Sequence, residues 1–171
     1  MRYISPLPSE QRQKQWPRTV AILGSTGSIG RSALNFLRLH KDRFSVVGLA
    51  GGKNIELLAE QAREFRPSCL AVLEDGLIAE LRKRLPADYH PEIVSGQEGY
   101  GILARLPEAG AILSAQSGAA GLRATFAAVE QGKVIALANK ESLVLAGTLI
   151  RQTCARTGAR ILPVDSGHKA L

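Results

Sequence analysis

The stretch AILGSTGSIG, residues 21–30, decides how the fold is read. A buried strand pattern ends in it, glycines stand at positions 24, 27 and 30, and an amphipathic helical pattern, SIGRSALNFLRL, follows without a gap. In such a turn the first glycine permits the tight bend, the second lets a ligand approach the backbone, and the third lets helix pack on strand. The amides that open the helix are free donors at the positive end of its dipole, so the group they suit is an anion such as a pyrophosphate. Ser25, Thr26 and Ser28 add hydroxyl donors beside them. A glycine triplet alone also fits a plain turn. Its place between the first strand and the first helix favours dinucleotide binding.

Outward from this turn the same alternation continues. TVAIL (19–23), FSVVGLA (44–50), CLAVL (69–73), PEIVS (91–95), AILSA (111–115), VIALA (134–138) and RILPV (160–164) are nearly continuous apolar runs. Strands buried on both faces have this pattern. Helical stretches lie between them, for example NIELLAEQAREF (54–65), with Asn54 as N-cap. The expected fold is α/β: a Rossmann-like, doubly wound, mainly parallel sheet of about seven strands with helices on both faces. Residues 1–18 read as a polar tail and 19–171 as the domain. Gly51-Gly52, Gly118 and Gly121 are expected at strand-to-helix junctions, where ligands reach such sheets.

Composition narrows the function. The chain has 45% hydrophobic and 22% charged residues, as a globular domain does. It has no apolar run of membrane-span length and no secretory h-region, so the expected location is cytoplasmic, with a plastid as the alternative. The net charge of +7 asks for an anionic partner. Aromatics are only 5%, and the one tight basic cluster, Arg82-Lys83-Arg84, reads as a solvated helix face, which disfavours nucleic acid. Cys69 and Cys154 lie far apart in apolar patterns and are expected to be buried, reduced thiols.

Two further motifs refine the ligand. An NAD-specific domain places a carboxylate at the end of its second strand for the ribose 2′-OH. Here that position reads LAGGKN (49–54), without an acid, and Lys53 and Asn54 suit a 2′-phosphate, so NADP is expected. In ALANKESL (136–143) Asn139 can cap the helix and Glu141 favours its first turn. Capping does not account for Lys140. A cation opposed to the helix dipole invites an anionic ligand there.

GSTGSIG, AGGKN, SGAAGL (117–122), ALANKES and LPVDS, in this order, resemble the amino-terminal domain of the 1-deoxy-D-xylulose 5-phosphate reductoisomerase family. The resemblance spans residues 19–171 and well under half of the family's usual length. It implies an NADPH- and divalent-metal-dependent enzyme (Mg²⁺ or Mn²⁺), homodimeric, that isomerises and then reduces its phosphorylated substrate in the methylerythritol phosphate route to isoprenoids. It implies cofactor contacts from Thr26, Gly27, Ser28 and Ile29 at the pyrophosphate, and from Gly52, Lys53 and Asn54 at the 2′-phosphate. Asn139 and Glu141 would lie near the nicotinamide ribose. Lys140 matches a catalytic, substrate-binding lysine, Asp165 a metal ligand and Ser166 a substrate contact.

The last residues depart from the family pattern. Where the family reads Asp-Ser-Glu-His-Asn-Ala, its Glu binding both metal and substrate, this chain has Asp165, Ser166, Gly167, His168, Lys169 and Ala170. The terminus reads as the edge of a site whose remaining metal ligand, phosphate-binding residues and lid lie beyond residue 171, and the chain by itself is expected to be inactive. Two other classes share parts of this pattern. A short-chain dehydrogenase or epimerase needs a Tyr four residues before a Lys, but Tyr3, Tyr89 and Tyr100 are followed at that spacing by Leu7, Ile93 and Ala104. A free-standing NADP-binding sensor or interaction module is the non-enzyme alternative. His40, at a helix end, and His90, before a proline, carry structural readings.

Overall fold

In a computed structural model, residues 18–116, 118–138 and 140–164 are described. The elements alternate throughout: β1 (Thr19–Leu23), α1 (Ser28–Leu39), β2 (Ser45–Ala50), α2 (Ile55–Phe65), β3 (Cys69–Val72), α3 (Gly76–Arg84) and β4 (Glu92–Ser95), then α4 (Gly96–Ala104), β5 (Ala111–Ser114), α5 (Gly118–Glu130), β6 (Val134–Leu137), α6 (Lys140–Thr157) and β7 (Arg160–Pro163). Each apolar run that reads as a strand in the sequence contains one. The seven strands form one sheet in the order β4-β3-β2-β1-β5-β6-β7, and every pairing is parallel.

This order has a physical consequence. The chain winds outward from β1 to β4, returns through α4 to place β5 against the other side of β1, and then winds outward again to β7. The direction of winding reverses between β1 and β5, so the connections leaving their carboxyl ends diverge and open a crevice there. The turn of residues 24–27 lies at one lip of it.

The sheet is covered on both faces. Ile22, Leu49 and Leu70 meet Leu34 and Leu37 of α1, Leu58 of α2 and Leu81 of α3 in one core. Their neighbours Ala21, Leu23, Ala50 and Ala71 meet Tyr100 and Leu103 of α4, with α5 and α6 alongside, in the other. Adjacent strand residues point to opposite faces, so the central strands β1, β2, β3 and β5 feed both cores and are apolar at nearly every position, whereas the edge strands β4 and β7 are less buried. Alanines at 21, 50 and 71 let α4 pack closely. A fully buried leucine in either core contributes roughly 1.5–3 kcal/mol.

The helix ends follow their chemistry. The Asn54 carboxamide oxygen accepts from Leu57 N at 3.1 Å, the cap expected for α2. His40 caps the end of α1 and stacks on Phe36. Arg82, Lys83 and Arg84 fall in the last turn of α3, where cations complement the dipole. Arg38 and Lys41 pair with Glu64 across α1 and α2, and donation from Arg38 holds the Glu64 carboxyl down to about 2. Both cysteines are free and buried, and burial pushes the Cys69 thiol up to about 12. Among the described residues no helix is long and apolar enough to cross a membrane.

Candidate functional site

The turn at residues 24–27 is fixed by contacts that leave its outer side open. Gly24 has φ +89, a left-handed conformation that favours glycine, and a Cβ there would stand 2.9 Å from Ala115 O, the first residue after β5. The Ala50 carbonyl, at the end of β2, accepts from both Gly24 N (2.9 Å) and Ser25 N (2.8 Å). Three strand ends are thereby joined at one point. Gln61 of α2 is buried and donates from Nε2 to Ser25 O at 2.9 Å, tying the turn to the second helix as well.

The three glycines have distinct roles. A Cβ on Gly30 would lie 2.3 Å from Gly24 O and 2.6 Å from the Ser25 Cα, both backbone atoms that cannot rotate away. Gly30→Ala is therefore expected to destabilise the fold by about 3 kcal/mol, to be read by chemical denaturation. An unchanged midpoint would mean that α1 does not pack on the turn as described. Gly27 differs: it is exposed, and a Cβ there would meet only Gly24 O, at 3.4 Å. Its neighbourhood is a cradle that any side chain would begin to fill.

That cradle suits an anion. Gly27 is the N-cap of α1, no side chain caps the helix, and its first turn has no acidic residue. The opening amides are left for a ligand. Thr26 is half-buried beside Gly51, and Ser28 is exposed. Ser25 is a correction to the sequence reading, which offered its hydroxyl to the ligand: the residue is fully buried and its Oγ has no hydrogen-bond partner among the described residues. The groove of about 440 Å³ between α1 and α2 reaches this site only at Ser28 and continues away from it along Gln61, Arg38 and Glu64.

The second expected subsite adjoins the first. Gly51 is buried at the end of β2, and a Cβ on it would be 3.3 Å from the Thr26 methyl. Gly52 is half-buried with nothing within 4 Å of an added Cβ, and Lys53 is exposed. Among the described residues Lys53 has no charged partner. Asn54 uses its oxygen to cap α2, which leaves the amide NH₂ as a donor on the same side chain. Capping and ligand binding are thus compatible at Asn54.

The other expected site residues are less fully described. Lys140 and Glu141 fall in the first turn of α6, whose helix is interrupted at Ala146 (φ −130, ψ 15). Their side chains, and Asn139, Asp165 and Ser166 altogether, lie outside the described residues. Gly118 opens α5 as expected, but Gly121 stands one turn inside it, where a Cβ would be 2.8 Å from Gln116 O. Among the described residues no group of three or more His, Cys, Asp or Glu is placed to hold a metal. Buried Lys133 belongs to the opposite end of the sheet: it donates to Leu106 O and Ala109 O, and burial lowers its pKa.

Two contacts that the motifs do not announce are those of Gln61 and Tyr100. Tyr100, on α4, donates to Gly51 O at 3.0 Å. No local sequence signal marks either, because their partners are 36 and 49 residues away.

Comparison with known proteins agrees with this geometry. The family model of 1-deoxy-D-xylulose 5-phosphate reductoisomerase matches residues 20–147. The reductoisomerase of Nitratidesulfovibrio vulgaris (strain DP4) is 60% identical over 171 residues, and that of Lawsonia intracellularis is 54% identical over 169. All or nearly all of this chain is matched, and it spans 42% of the length of each relative. Among solved structures, the Zymomonas mobilis reductoisomerase in complex with NADPH superposes with a TM-score of 0.83 at 39% identity, covering 89% of this chain and 40% of that one. A reductoisomerase in complex with magnesium gives 0.83 at 41% identity, covering 88% and 38%. With its seven-stranded parallel sheet and its open glycine turn, the chain belongs to the 1-deoxy-D-xylulose 5-phosphate reductoisomerase family.

Proposed function

We propose that this chain is the NADPH-binding part of a reductoisomerase that converts 1-deoxy-D-xylulose 5-phosphate to 2-C-methyl-D-erythritol 4-phosphate in isoprenoid biosynthesis. The observation that carries this is the open cradle at Gly27, with an uncapped helix start behind it, at the point where the sheet reverses its winding. The backbone of Thr26, Gly27, Ser28 and Ile29 binds the pyrophosphate. Gly52, Lys53 and Asn54 hold the adenosine 2′-phosphate. Asn139 and Glu141 orient the nicotinamide ribose, Lys140 binds the substrate and acts in catalysis, and Ser166 makes a further substrate contact. NADPH, when bound, supplies the hydride for the reduction.

The metal is a different matter. Asp165 would give Mg²⁺ or Mn²⁺ one carboxylate, and Gly167 brings no ligand where the family pattern has Glu. Magnesium usually needs one or two carboxylates and substrate oxygens in octahedral geometry. The working protein is proposed to be a homodimer in the bacterial cytoplasm, with no nucleic-acid or membrane partner.

Calorimetric titration of the 171-residue chain with NADPH tests the binding role, and saturable one-to-one binding is the expected result. The same chain, and its Gly167→Glu variant, are expected to show no substrate-dependent NADPH oxidation with Mg²⁺ or Mn²⁺. Holding substrate against cofactor can contribute roughly 7–11 kcal/mol to lowering a barrier, and a second carboxylate does not supply that positioning. Turnover above a cofactor-only control would place a complete active site within these residues.

A further inference from the structure

We infer that Tyr100 is a positioning residue for NADPH selectivity: its phenol holds the Gly51 carbonyl so that the Gly52 N–H faces the 2′-phosphate beside Lys53. This rests on the reading of Gly52, Lys53 and Asn54 as the 2′-phosphate subsite. Tyr100 is 3% exposed and lies on α4, outside both cofactor motifs, on the sheet face opposite α1 and α2. Its hydroxyl donates to Gly51 O at 3.0 Å. Burial raises the phenol's pKa, so it remains a donor throughout the neutral range.

The consequence follows from peptide geometry. The bond between Gly51 and Gly52 is trans, so the Gly51 C=O and the Gly52 N–H point in opposite directions within one rigid plane. With the carbonyl held toward α4, the N–H is turned away from it. Nothing lies within 4 Å of the position a Gly52 Cβ would take, and among the described residues no group accepts from the Gly52 N–H. The amide is thus an unpaired donor at a half-buried glycine, adjacent in the chain to the exposed Lys53 and followed by Asn54, whose amide group is spare.

An anchor is needed because the plane is flanked by two glycines, which allow it to rotate more readily than any other pair. On the amino side Gly51 N is held by Ala71 O at 3.0 Å. On the carboxyl side Tyr100 provides the one described hydrogen bond to the carbonyl. Without it the buried carbonyl has no partner and the plane is free to turn, so the Gly52 donor is lost for part of the time.

Tyr100→Phe removes one oxygen and keeps the ring in the core. Its affinity for adenosine 2′,5′-bisphosphate is expected to fall about tenfold, with that for AMP unchanged, when both are titrated into the 171-residue chain. Unchanged affinity for the bisphosphate overturns the inference, as does an equal fall in both affinities, which would mark a purely structural role. Lys53→Ala, measured in parallel, separates the levels. If it loses the discrimination while Tyr100→Phe keeps it, Tyr100 has no such role; if wild type itself does not discriminate, the 2′-phosphate reading fails. In wild type the Gly52 amide signal in a ¹H–¹⁵N spectrum is expected to shift on adding the bisphosphate and not on adding AMP. An unmoved Gly52 overturns the inference without any variant.

Discussion

Gly27→Val is expected to abolish detectable NADPH binding, a loss on the order of a hundredfold or more, while the protein stays folded. Gly27 has φ −76 and ψ 172, extended backbone that a β-branched residue adopts readily, so the substitution introduces no backbone strain. The first atom added would meet only Gly24 O, at 3.4 Å, so the folded protein accommodates it. The cost to stability is that of a poor N-cap, about 1 kcal/mol. The same methyl groups would occupy the cradle over the opening amides of α1, where the proposed site requires the pyrophosphate to come within hydrogen-bonding distance. Circular dichroism and a calorimetric titration on one sample decide the matter. Retained affinity would reduce the glycine triplet to a turn.

Lys53→Ala is expected to weaken NADPH by about tenfold to a hundredfold and leave NADH nearly unchanged, the range of one charge-assisted hydrogen bond of roughly 1.5–3 kcal/mol. Wild type is accordingly expected to prefer NADPH. Lys53 is exposed and stands just before the N-cap of α2, where a cation opposes the helix dipole. Its removal is therefore not expected to destabilise the chain. A site exposed on one side is screened by salt, so the preference should narrow between low and high ionic strength. Equal affinities of wild type for NADPH and NADH would sink the assignment, and a salt-independent ratio would point to a buried contact other than Lys53.

The expectations that hold best are those in which the signal and its cause are close together in the chain. The seven apolar runs became strands, and for the central ones the reason is local: a strand buried on both faces must be apolar at nearly every position, and that is visible in four to six residues. Asn54 caps α2 through a bond to Leu57, three residues on. The site residues divide in the same way. Gly24 and Gly30 were legible because a bend and a close helix packing each demand glycine by themselves. The burial of Ser25 leaves no such local mark: the residue is fully enclosed, and its carbonyl is held by Gln61 of the next helix, 36 residues on.

By itself, then, the sequence determined the element order, the glycine turn between the first strand and the first helix, and the lack of an acid at the end of the second strand. These depend on backbone preferences and hydrophobic periods that act within a few residues. Only the tertiary structure decided that β5 lies against β1, which face each helix covers, and that Tyr100 reaches the carbonyl of Gly51. A strand that is apolar on both sides carries no mark of which helix will cover which face or which strand will pair beside it. Those choices are made by contacts between segments far apart in the chain, such as Gly24 against Ala115 and Tyr100 against Gly51, whose energies exist only once the sheet has closed.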